Sequence, residues 1–148
     1  ITRRVLATLH RYMTSGTQAS RERVLIAGME GDEHTLGLQM VHDQLAAAGF
    51  RTVMDTDVSA ERLLAMVAGQ SPQLVVIGDT GTASLQSVEG ALRALRAQHP
   101  GLPIVLGGPA VGGGLPSERE GMRVLERIDE TVEAVEDLLA PAASPASV

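Results

Sequence analysis

A chain of 148 residues, 44% of them hydrophobic, is long enough for one globular domain with a real core. A net charge of −6 argues against binding to a phosphate backbone, and the only aromatics, Tyr12 and Phe50, offer no stacking platform for single-stranded nucleic acid. Cysteine is absent and every basic residue is arginine, which excludes disulfides, thiolate catalysis, zinc fingers, Schiff-base lysines and Walker-type phosphate loops. Arg23–Gly28 is a short apolar run ending in glycine, the pattern of a buried parallel strand. Leu38, Val41, Leu45 and Ala48 then recur at helical spacing and predict a helix over Thr35–Ala48, stopped by Gly49. Phe50–Asp55 reads as the second strand, and Ser59 as the N-cap of a helix running to about Ala68, with Glu61 in its first turn. Gln73–Gly78, introduced by Pro72, is the clearest strand. Leu85, Val88, Leu92 and Leu95 form the next helical stripe, closed by Pro100-Gly101. Pro103–Leu106 is a fourth strand ending in Gly107-Gly108, and Met122–Leu125 a fifth. Asp129 is expected to cap a last helix carrying Val132, Val135 and Leu139.

Strands alternating with helices imply an α/β fold, a parallel sheet covered on both faces. For five strands this size favours the flavodoxin-like (Rossmann-like) order 2-1-3-4-5. Residues 1–20 read as an N-terminal helix and linker, 21–139 as the folded domain, and 140–148, rich in Ala, Pro and Ser, as a disordered tail or linker. No apolar run is long enough to span a bilayer and no secretory signal pattern is present, so a cytoplasmic location is expected. Because the chain begins at Ile1, it is expected to be a fragment or processed product of something longer.

The most informative stretch is Asp32-Glu33-His34-Thr35-Leu36-Gly37, between the first strand and the first helix. Open α/β sheets bind ligands at the carboxyl ends of their strands, and His34 falls there. Asp32 is spaced to hydrogen-bond the imidazole and fix its tautomer, as outer-shell partners of metal-bound histidines do, or to cap the following helix, a role open to Thr35 as well. Gly37 allows a bulky ligand close to the backbone. His10, His42 and His99 carry no such partner and are read as surface, and Gly112–Gly114 as a flexible loop. Glu30, Glu33 and Asp79 have no spacing that supports acid–base catalysis.

In this setting D-x-H-x-x-G resembles the signature of cobalamin-binding domains, over roughly Arg23–Leu139. The resemblance implies that His34 is the lower axial ligand of cobalt, replacing the cofactor's own base, with Asp32, Glu33, Thr35 and Gly37 around it. A second family loop, which usually carries Ser-x-Leu or Ser-x-Thr, aligns with Gly78-Asp79-Thr80. The serine is missing, so Thr80, Thr82 or Ser84 is expected to supply the hydroxyl. The family's paired glycines match Gly107-Gly108, where a side chain would fill the slot for the nucleotide tail. Cobalamin, as the adenosyl or methyl form, is thus the implied cofactor, and a protein partner or second copy the implied partner. After Gly37 this chain reads Leu-Gln-Met, without the lysine or asparagine that the enzymes of the family often carry, and so looks more like the light-sensing and antirepressor branch. It lacks the tryptophan of the usual sensor cap. The expected function is a light-responsive sensory or transcription-regulatory domain, not an enzyme on its own. The alternatives are the cofactor-carrying small subunit of a mutase and a corrinoid methyl carrier.

Overall fold

The structure, a computed structural model, describes residues 21–31, 35–78, 85–108 and 121–140. Along the chain these form β1 (Arg23–Met29), α1 (Leu36–Ala47), β2 (Arg51–Val58), α2 (Ala60–Gln70), β3 (Leu74–Gly78), α3 (Leu85–Gln98), β4 (Ile104–Gly107), β5 (Met122–Leu125) and α4 (Thr131–Leu139). All five strands pair in parallel in the order β2-β1-β3-β4-β5, as expected. Successive side chains on a strand point to opposite faces, so each apolar run supplies two cores. On one face Leu25, Ala27, Val75, Ile77, Ile104 and Leu106 pack with Leu63 and Val67 of α2 and Val88, Leu92 and Leu95 of α3. On the other, Val24, Ile26, Leu74, Val76 and Val105 pack with Leu38, Val41 and Leu45 of α1 and Ala134 and Val135 of α4. Phe50 is buried in this second core, with the Arg21 guanidinium 4.0 Å above its ring.

The local signals explain most element ends. Ser59 caps α2 by accepting a hydrogen bond from Arg62 N, and Gly49, at φ 94, follows α1 in a conformation glycine adopts without strain. Most boundaries differ from the sequence expectation by a residue or more. β1 runs past Gly28 to Met29, and β2 past Asp55 to Val58, because pairing between the two strands continues through a register shift. Asp129 does not cap α4; it lies in a 3-10 turn, Ile128–Glu130, and its carboxylate pairs instead with Arg127 at 2.7 Å. Thr131 Oγ1 donates to Ile128 O there, so a hydroxyl and the tight turn begin the helix. Among the described residues no helix is long and apolar enough to cross a membrane.

The carboxyl end of β2 is braced from α2. Arg62 Nε and Nη2 both donate to Asp55 Oδ2, at 2.9 and 2.6 Å, and Thr56 N donates to Asp55 Oδ1. The Arg62 hydrogen bond holds the Asp55 carboxyl below the ordinary value of 3.8, against a smaller opposing effect of burial. With the folded-state pKa depressed, the stabilisation is present above the unfolded value and lost as pH falls through the folded one. Asp55→Asn is therefore expected to lower the melting temperature at neutral pH, by an amount worth less than about 1 kcal/mol because the pair is largely solvated. Melting curves of the two proteins should converge at pH values below the ordinary carboxylate range; a gap that persists in acid would assign the loss to something other than this ion pair.

Candidate functional site

The strand order reverses between β1 and β3, so the crevice that open α/β sheets offer a ligand lies outside the carboxyl ends of these two strands. Both carry a glycine in the same row, Gly28 one residue before the end of β1 and Gly78 at the end of β3. Gly28 pairs with Gly78 across β1–β3, and Gly78 with Gly107 across β3–β4. On the face covered by α1 and α4, the alternation along each strand reads Val24, Ile26, Gly28 on β1, Leu74, Val76, Gly78 on β3, and Val105, Gly107 on β4. On these three strands two rows of branched side chains give way to a third of glycines, which Leu125 continues on β5. The sequence expectation had included Gly78 and Gly107 but read Gly28 only as a strand end. The signal was available in the common glycine ending of the three expected strands; that they fall in one row is a matter of register.

The space above this row differs from one glycine to the next. A Cβ at Gly28 would stand 2.6 Å from Leu38 Cδ1, and one at Gly78 would stand 2.5 Å from Leu38 Cδ2. Leu38, in the first turn of α1 and 7% exposed, therefore lies over both glycines. At Gly107 no atom of the described residues comes within 4 Å of such a Cβ, and the residue has no positive φ. Neither its backbone conformation nor packing by the described residues calls for glycine there. The next residue, Gly108, has φ 124, a conformation that side chains strain to adopt. Gly37 faces the turn before α4, its absent Cβ 3.5 Å from Ile128 Cδ1. Thr35 stands at the N-cap position of α1.

Of the other expected site residues, Asp32, Glu33, His34, Asp79, Thr80, Thr82 and Ser84 lie outside the described residues, as does the Gly112–Gly114 loop. Among the described residues no group of three or more histidines and carboxylates is placed to hold a metal ion. His42, expected at the surface, is half-buried instead: its Nε2 is 3.0 Å from Thr52 Oγ1 on β2 and its Nδ1 3.3 Å from Asp43 Oδ1. Asp43 is buried and also accepts from Gln39 Nε2 at 3.1 Å. Helical spacing placed His42 beside the apolar stripe, but a polar bridge to the edge strand is a tertiary contact that no local pattern reports.

The family model of the B12 binding domain matches residues 22–137, most of the chain. This chain belongs to the B12-binding domain family. Cobalamin is accordingly the cofactor of this B12-binding domain. No curated protein matches it. Among solved structures the domain is similar to a novel cobalamin-binding protein from Desulfitobacterium hafniense DCB-2, with a TM-score of 0.69 and 20% identity, over 82% of this chain and 60% of that one. It is similar to a chain of the methanol:cobalamin methyltransferase complex MtaBC from Methanosarcina barkeri, with a TM-score of 0.72 and 23% identity, over 88% of this chain and 52% of that one. A third likeness is to the monomethylamine corrinoid protein of Methanosarcina barkeri, with a TM-score of 0.71 and 20% identity, over 90% and 65% of the two chains. The chain thus spans between about half and two thirds of the length of these structures. At such identities the likeness is one of fold. The B12-binding domain's own residues fit its cofactor on one observation: at Gly107, on the carboxyl edge of the sheet, no described atom comes within 4 Å of where a Cβ would stand, so a side chain there would take up open space.

Proposed function

We propose that this domain is a cobalamin-binding sensory or regulatory module. His34 ligates cobalt from below in the base-off state, and Asp32 holds the other ring nitrogen. The open space at Gly107, where the described residues and the backbone leave glycine unexplained, carries this reading, because a displaced nucleotide tail needs room of this kind. Gly78 and Gly108 border it. Glu33, Thr35 and Gly37 belong to the histidine loop, and Asp79, Thr80, Thr82 and Ser84 to the second loop, whose hydroxyls contact the displaced base. The protein's part is to hold, orient and shield the cofactor, which itself supplies a light-labile upper cobalt–carbon bond.

A sensor needs contacts that differ between its two states. Leu36 and Met40, one helical turn apart at the start of α1, are 42% and 38% exposed and offer an apolar patch beside the histidine loop for a protein partner or a second copy. Leu38, where enzymes of the family often carry lysine or asparagine, supports the sensory branch. The likeness to the Methanosarcina barkeri proteins favours a corrinoid methyl carrier as the alternative, ahead of a mutase subunit.

Gel filtration of the adenosylcobalamin-loaded chain in darkness and after illumination separates these readings. The expected result is a change of oligomeric state or of partner binding on illumination, alongside the spectral change. Free cobalamins are photolabile, so the spectrum alone decides nothing. Identical elution in both conditions, with methyl transfer or mutase activity restored by adding a catalytic subunit, would replace the sensory reading with a carrier one.

A further inference from the structure

We propose that Asp57 is a positioning residue that pins the start of the loop running from β1 towards His34. The inference deepens the proposed function and rests on that loop being part of the cobalamin site. In the β1–β2 ladder Ala27 pairs with Asp55 and Met29 with Val58, so Thr56 and Asp57 together face the single residue Gly28. This is a β-bulge, a device that bends a strand and re-aims a side chain. It sets Asp57 at φ 57, a left-handed conformation that costs a residue with a Cβ and is best tolerated, glycine aside, by Asp and Asn.

The consequence lies on the neighbouring strand. Asp57 Oδ1 accepts a hydrogen bond from Gly31 N at 3.2 Å, and Val58 O accepts one from Glu30 N at 3.0 Å. Two successive amides, at the point where the chain leaves the sheet, are thus tied to Asp57 of the bulge and to Val58 directly after it. Gly31 itself turns at φ 89 and is followed directly by Asp32. The bulge has support behind it, since Asp55 is held by Arg62 and Thr56 N, and Ser59 caps the helix that carries Arg62. Asp57 is exposed, so core packing does not account for a carboxylate in a strained backbone position. Strain of this kind persists where the surroundings use it.

The experiment compares the wild-type chain with Asp57→Gly, Asp57→Asn and His34→Ala. Hydroxocobalamin is titrated spectrophotometrically, and the melting temperature of each cofactor-free protein is measured. Asp57→Gly keeps the backbone conformation and removes only the acceptor, so its melting temperature is expected to stay within about 2 °C of wild type while Kd rises about tenfold. Asp57→Asn retains an acceptor oxygen and the tolerance for this φ, and is expected to bind within about threefold of wild type. A purely structural role predicts the reverse for the glycine variant, a lower melting temperature with binding changed only in proportion. Asp57→Gly binding as tightly as wild type, beside a weakened His34→Ala, overturns the anchor and leaves the histidine assignment standing. Weakened Asp57→Gly with unchanged His34→Ala supports the anchor and removes the assignment.

Discussion

Replacing His34 with alanine is expected to abolish the base-off, histidine-ligated absorption spectrum and to leave cobalamin base-on or unbound. Asp32 and His34 stand two residues apart directly after Gly31, whose amide is tied to Asp57. The described part of that loop begins at the carboxyl edge of β1, beside the point where the strand order reverses. Loss of a metal ligand should cost more than loss of an outer-shell partner, which typically runs to about 10–100-fold in affinity. Asp32→Asn is the graded companion: it leaves an oxygen for the imidazole N–H but no charge, and is expected to weaken binding within that range while keeping the histidine-ligated spectrum. Spectral titration of both variants checks this. An unchanged spectrum in His34→Ala would end the assignment, whatever happened to the affinity.

Filling the glycine row is expected to separate cofactor binding from folding, and differently at its two ends. At Gly107 a leucine meets open space and an ordinary strand backbone, so Gly107→Leu should fold with its melting temperature unchanged or slightly raised. The same side chain occupies the slot, and cobalamin uptake should fall below detection in a titration that saturates wild type. At Gly78 even a methyl group meets Leu38 Cδ2 at 2.5 Å and Cγ at 3.1 Å, so Gly78→Ala should cost about 1–3 kcal/mol of stability through overpacking. Adding Leu38→Ala to that variant removes the clash and should narrow the loss. Normal cobalamin binding by Gly107→Leu would place the tail elsewhere, and an unaltered melting temperature for Gly78→Ala would mean that Leu38 moves away at little cost.

All five strands and the four helices of the described residues were legible in the chain, because parallel strands buried on both faces are short apolar runs and their ends are marked by Gly and Pro. The order 2-1-3-4-5 followed from short right-handed connections and size. The histidine loop and the paired glycines stood out because motif and strand end coincide in sequence. Other features depended on which residues meet across strands. Nothing local to Thr56 or Asp57 announces a bulge; it arises because β2 keeps pairing with β1 past Gly28, and one strand must then hold an extra residue. Nothing near His42 announces Thr52, and Asp129 pairs with Arg127 where local propensity favoured a cap. The sequence by itself determined the α/β architecture and the family, since apolar periodicity, turn residues and motif spacing are local properties of a chain. Only the tertiary structure decided that Gly28, Gly78 and Gly107 form one row, the first two under Leu38, and that Asp57 reaches Gly31, because strand register sets distances between residues that sequence separates by tens of positions.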